Sequence, residues 1–116
     1  MLCKAIVAGP QGPHDATLLL DTGSNYTVVT YEILEKVGCS AAMSRAHIRI
    51  TTANGVIVAP RVRTQALTIF DRKIADAEVV AHDLPFSGPI DGLLGMDVLV
   101  VLRARIDIGA AQVELG

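Results

Sequence analysis

Three leucines run without a break into an acidic residue at Leu18-Leu19-Leu20-Asp21, and Thr22-Gly23-Ser24 follow at once. A short continuous apolar run such as Thr17–Leu20 reads as a strand buried on both faces. A carboxylate at the end of that strand must be hydrogen-bonded, paired or neutral, because an unpaired buried charge is costly. Thr22 brings a hydroxyl, and Gly23 lets the backbone turn tightly and present an amide N–H. The segment predicts a rigidly held Asp21 on a strand–turn. Alone, Asp-Thr-Gly arises by chance in about one in a hundred chains of this length. An aspartate that merely caps a strand–turn accounts for the tripeptide equally well.

The rest of the chain decides between those readings. It has 116 residues, which is one domain over residues 1–116 with a single core. Hydrophobic residues make up 51% and charged residues 19%, so the chain folds rather than staying disordered. Ten Lys and Arg against twelve Asp and Glu, with no block of either sign, argue against a nucleic-acid or anionic-membrane partner. No apolar run has the length needed to cross a bilayer. The start is too short for a signal peptide, and Cys3 and Cys39 do not make a disulfide framework, so buried free thiols in a reducing, cytoplasmic setting are expected. His14, His47 and His82 have no ligand spacing; they read as surface or core histidines, and no metal or other cofactor is expected.

Short alternating runs broken by turn residues predict a mostly β chain. Strands are expected at 4–8, 17–20 and 26–30, with a turn-rich link over 9–14. Residues 31–37 read as one or two helical turns closed by Gly38, and 39–45 as loop. His47–Thr52 and Val56–Thr64 flank Ala53-Asn54-Gly55, and Asn-Gly between two β-rich runs is a hairpin signal. Pro60 marks the second arm as an edge or a bulged strand. A second hairpin is read as 66–70 and 74–81 across Asp71-Arg72-Lys73. Residues 96–102 have helical spacing. A last hairpin runs from Arg103 to Leu115, with Ala104, Ile106 and Ile108 facing inward.

Taken together, Leu19-Leu20-Asp21-Thr22-Gly23-Ser24, Thr27-Val28-Val29, the Asn54-Gly55 hairpin and Asp91-Gly92-Leu93-Leu94-Gly95-Met96-Asp97-Val98-Leu99 resemble the single-lobed, retropepsin-like aspartic proteases in order and spacing. The resemblance covers nearly the whole chain. It implies an all-β fold, a single-lobe acid-protease closed barrel with a flap hairpin and one or two short helices. It implies an aspartic endopeptidase acting on extended peptide or protein segments. In that chemistry two adjacent carboxylates share one proton across a water, so that one acts as acid and the other as base. With one Asp-Thr-Gly motif in 116 residues, the second carboxylate must come from another copy, which implies a symmetric homodimer.

Roles carry over residue by residue. Asp21 is implied as the catalytic carboxylate, Thr22 as the hydroxyl that grips the partner backbone, and Gly23 as a backbone contact. Ser24 is implied to hydrogen-bond the outer oxygen of Asp21. Substrate contact falls to Ser24, Asn25, the hairpin tip Ala53, Asn54 and Gly55, and Leu93, with Leu94 beneath. Tyr26 is read either as packing or as a substrate contact. Two departures stand out. Retroviral enzymes often carry Arg where this chain has Met96, paired to an acid beyond the catalytic loop, where this chain has Asn25. Asp97 is expected to hydrogen-bond near Thr27 instead, and the 103–115 hairpin to build the dimer sheet. The alternative reading is a catalytically silent dimerisation or peptide-binding module with the same fold.

Overall fold

The computed structural model describes residues 1–52, 55–84 and 88–116, with Thr52 described by its backbone alone. Eleven strands and two short helices follow in order along the described residues: β1 (Leu2–Gly9), β2 (Gly12–Leu20), β3 (Val28–Val29), α1 (Tyr31–Lys36), β4 (Ala46–Thr52), β5 (Gly55–Arg63), β6 (Ala66–Ile69), β7 (Arg72–Ala75), β8 (Glu78–Ala81), β9 (Gly92–Leu94), α2 (Met96–Val101), β10 (Arg105–Asp107) and β11 (Gln112–Glu114). The fold is the expected mostly β, single-lobed one. Nine strands form one curled sheet in the order β4-β5-β8-β3-β9-β2-β1-β6-β7, and β10 and β11 pair separately. The pairing ends at β4 and β7, so the sheet is an open half-barrel rather than a closed one.

The order explains how a local run becomes a site. β1 and β2 form a long hairpin, Leu2 opposite Leu19 through Gly9 opposite Gly12. The stretch 9–14, read as a link, is therefore a tight two-residue turn followed at once by strand. β2 then takes β9 as a parallel neighbour, Leu18 beside Gly92 and Leu20 beside Leu94. β3 inserts on the far side of β9 and pairs in parallel with β8, Val28 beside Val80. These middle strands are covered on both faces. Val29, Val79, Ala81 and Leu94 point into the main core, where Ile33 and Leu34 of α1 and Val98 and Leu99 of α2 also pack. Val28, Val80 and Leu93 point the other way, into a smaller cluster beneath β4 and β5. Strict alternation on a strand sends neighbours to opposite faces.

Four local readings change. Residues 74–81 are not one strand: the chain turns at Asp76, which has φ of 53°, and β7 and β8 go to different places in the sheet. The third strand is only Val28–Val29, because the chain on either side is bent by the loop before it and α1 after it. Residues 41–43 make a 3₁₀ turn within the expected loop. Leu19 and Leu20 are half-buried, so the leucine run is not sealed on both faces. Pro60 sits in the part of β5 that pairs with edge strand β4 alone, since only Arg61–Arg63 reach β8. No described helix is long and apolar enough to cross a membrane.

Candidate active site

Asp21 follows directly on β2, where the parallel pairing to β9 ends. Its N–H donates to the Leu94 carbonyl at 3.0 Å, which fixes the backbone. Its Oδ1 accepts the Gly23 N–H at 2.9 Å, which fixes the carboxylate plane. The tight turn is closed by the Ser24 N–H donating back to the Asp21 carbonyl at 3.1 Å. Asp21 is half-buried, Thr22 and Gly23 are exposed, and the carboxylate opens onto a cleft. The Ser24 hydroxyl does not reach Asp21: it donates to the Tyr26 carbonyl at 2.7 Å and stiffens the loop behind the aspartate.

The loop is locked from below by the segment 94–97. Met96 N–H donates to the Ser24 carbonyl at 2.8 Å and Asp97 N–H to the Asn25 carbonyl at 3.2 Å. At the centre lies Thr27, fully buried. Its hydroxyl accepts the Gly95 N–H at 3.0 Å and donates to Asp97 Oδ1 at 2.8 Å. Asp97 Oδ1 also accepts the Val98 N–H at 2.8 Å, in the first turn of α2, where negative charge is favoured. The expected Asp97–Thr27 contact is thus part of a link that ties the chain just after the Asp21 loop to the N-terminal turn of α2. A Cβ on Gly95 would collide with the Tyr26 carbonyl, and one on Gly92 with the Val28 carbonyl. Both positions need glycine because backbones cross there.

The cleft in front of Asp21 holds about 690 Å³. Its floor is the loop 21–26 with Leu93, its roof is the inner side of the β4–β5 hairpin at Ile50 and Ile57, and its far wall is His82 to Leu84. Gly23, Ser24, Asn25 and Leu93 line it, and Leu94 is buried beneath. Tyr26 does both things expected of it as alternatives: it lines the cleft and packs against the cluster of Val28, Ala59 and Val80. Thr22 is not among its lining residues. Gly55 pairs with Thr52 as the first residue of β5, with φ of 122°. Ala53 and Asn54 lie outside the described residues. Asp91, by contrast, is structural: its Oδ2 accepts the Thr17 N–H at 2.9 Å, and its carbonyl accepts the Thr30 N–H at 3.0 Å.

Residues 4–98 match the family described as aspartyl protease. The chain belongs to the aspartyl protease family. A protein from a Sinorhizobium species, described as an uncharacterized protein in the cobV 5′ region, is 35% identical over 92 residues. That match covers 77% of this chain and 37% of the relative, so the chain spans little more than a third of that relative's length. In this family setting the sequence reading missed Ile50, Ile57, His82 and Leu84 as cleft residues. Ile50 and Ile57 were within reach, since an in-register hairpin puts them opposite one another. His82 was not, because the parallel partner of β8 cannot be read from sequence.

Proposed function

We propose that the protein is an aspartic endopeptidase that works as a symmetric homodimer, with Asp21 of each copy forming the catalytic pair. The observation that carries this is the geometry of Asp21. One carboxylate oxygen is held by the Gly23 N–H, on a loop locked through Thr27 and Asp97, at the floor of a cleft wide enough for an extended peptide. A carboxylate that only capped a turn would have no need of that cleft.

In the proposed reaction, one Asp21 carboxylate takes a proton from the water that attacks the scissile carbonyl. The other, protonated, hydrogen-bonds the carbonyl oxygen, and a proton then passes to the leaving amine. The exposed Thr22 hydroxyl beside the aspartate is free to bond the partner's loop. The β4–β5 hairpin acts as a flap that closes over an extended substrate and excludes water. The substrate pairs as an added strand between flap and loop. The β10–β11 hairpin supplies the dimer contact. It is separate from the main sheet, and Ile108, expected to face inward, is 87% exposed at its turn. Ala104, Ile106 and Leu115 pack on the core, and a ribbon so anchored on one side keeps its exposed Ile108 for a partner surface.

The test is digestion of a mixed peptide library at high enzyme concentration between about pH 4 and 7, read by mass spectrometry, with the natural chain beside Asp21→Asn. Cuts made only by the natural chain support the proposal. No cuts by a chain shown to be dimeric would leave a peptide-binding module as the better reading.

A further inference from the structure

His82 stands in the cleft and has no task in the reaction just described. β8 presents Val80 to the cluster under the hairpin, with Val28 and Ala59. The backbone continues that register past the strand end, since the Val80 N–H donates to the Thr27 carbonyl and the His82 N–H to the Val29 carbonyl at 3.2 Å. Alternation therefore turns the His82 side chain to the same face as Val80, toward the cleft that it lines. The ring is half-buried, and no side-chain hydrogen bond or ion pair of His82 is seen among the described residues.

The other charged or titratable groups around the cleft are occupied or turned away. Asp21 is held by Gly23 at the reacting centre. Asp83 Oδ1 accepts the Tyr31 N–H at 3.3 Å, on the α1 side. Arg49 borders the cleft, but it alternates with Ile48 and Ile50, which pack inward, and it stands opposite the exposed Val58 on the outer face of the hairpin. Apolar side chains such as Ile50, Ile57 and Leu93 share the wall with the uncharged Ser24, Asn25 and Thr51. An imidazole that can carry charge sets orientation and preference in such a wall. When protonated it offers two N–H donors and no acceptor, which suits a carboxylate.

We infer that His82 is a specificity-determining residue that selects a Glu or Asp side chain at one position of the bound peptide. The inference rests on the cleft being the peptide site of the proposed protease. In a symmetric pair the two His82 copies make the same preference recur at matched positions on either side of the cut.

Binding separates this from the chemistry. Short extended peptides, with each position fixed in turn as Glu, Gln or Leu, are titrated onto the Asp21→Asn chain at mildly acidic pH and read by fluorescence anisotropy. At the matched positions on either side of the cut Glu binds about fivefold more tightly than its isostere Gln, the margin of a charge-assisted over a neutral hydrogen bond at a half-exposed site. His82→Leu abolishes that ratio and His82→Arg keeps it. The inference is overturned by a ratio near one at every position, by a ratio unchanged in His82→Leu, or by no binding of any peptide. Failure of the natural chain to cut the library would count against the protease reading alone.

Discussion

Thr27 shows how much of this site hangs on one hydroxyl. It is fully buried and has two partners, the Gly95 N–H and Asp97 Oδ1, at the N-cap and in the first turn of α2. Thr27→Val keeps the shape but leaves the buried Gly95 N–H without an acceptor and takes one of two donors from Asp97 Oδ1, so a loss of about 1–3 kcal/mol is expected in urea unfolding, while Thr27→Ser keeps the hydroxyl and most of the stability. A fall as large in Thr27→Ser would mean that the methyl group, not the hydrogen bonds, matters there. The two thiols give a pH dependence. Burial pushes Cys3 up against a smaller opposing pull from the N-terminal amine, and burial pushes Cys39 up against a smaller effect of the Gln65 backbone. A raised thiol pKa means that the folded state holds its protons longer than the unfolded chain does. Stability from this source is therefore full below about pH 8.5 and is lost as pH rises above it. Unfolding midpoints measured from pH 7 to 10 should fall at the alkaline end, and less so in Cys3→Ala.

At the scale of elements, the β6–β7 hairpin turns through Phe70 and Asp71, both with positive φ, 50° and 64°. That is the backbone of a type I′ turn, built here without its usual glycine. Phe70 packs on the core and has reason to stay. Asp71→Gly relieves the left-handed strain and should raise stability by about 0.5–1 kcal/mol in thermal unfolding, once the greater freedom of glycine in the unfolded chain is set against the gain. This turn also marks where sequence reading stops. The hairpin over 46–63, both helices and the 105–114 hairpin were legible because alternation, Asn-Gly and helical spacing are local signals. So was the loop around Asp21, whose residues lie side by side in the sequence. The break at Asp76 was not, because only the tertiary sheet makes an aspartate adopt positive φ between two β-prone runs. Nor was the landing of β8 beside β3, on which the place of His82 depends: parallel pairing is a long-range choice with no turn residue to announce it. The Ser24 hydroxyl was also not legible: it donates to the Tyr26 carbonyl, a local backbone partner that the residue types do not announce.

On the whole molecule, the half-barrel leaves its cleft floored by one Asp21 and its C-terminal hairpin apart from the main sheet. Val100 and Val101 are each 65% exposed and Ile108 is 87% exposed, apolar side chains turned to solvent in a chain of this size. If the hairpin is the dimer contact, Ile108→Asp shifts sedimentation from dimer to monomer with an unchanged far-ultraviolet circular dichroism spectrum; removal of residues 109–116 does the same. A truncated chain that still sediments as a dimer would place the contact elsewhere. The central claim is that one working site needs Asp21 from two copies. The most direct measurement is peptide cleavage after the natural chain is refolded with an equal amount of Asp21→Asn. Random pairing leaves about half of the natural subunits with a natural partner, so activity per natural subunit should fall to about half of its value in the unmixed protein. Activity that stays at its full unmixed value would show that each subunit works alone and would contradict the shared site.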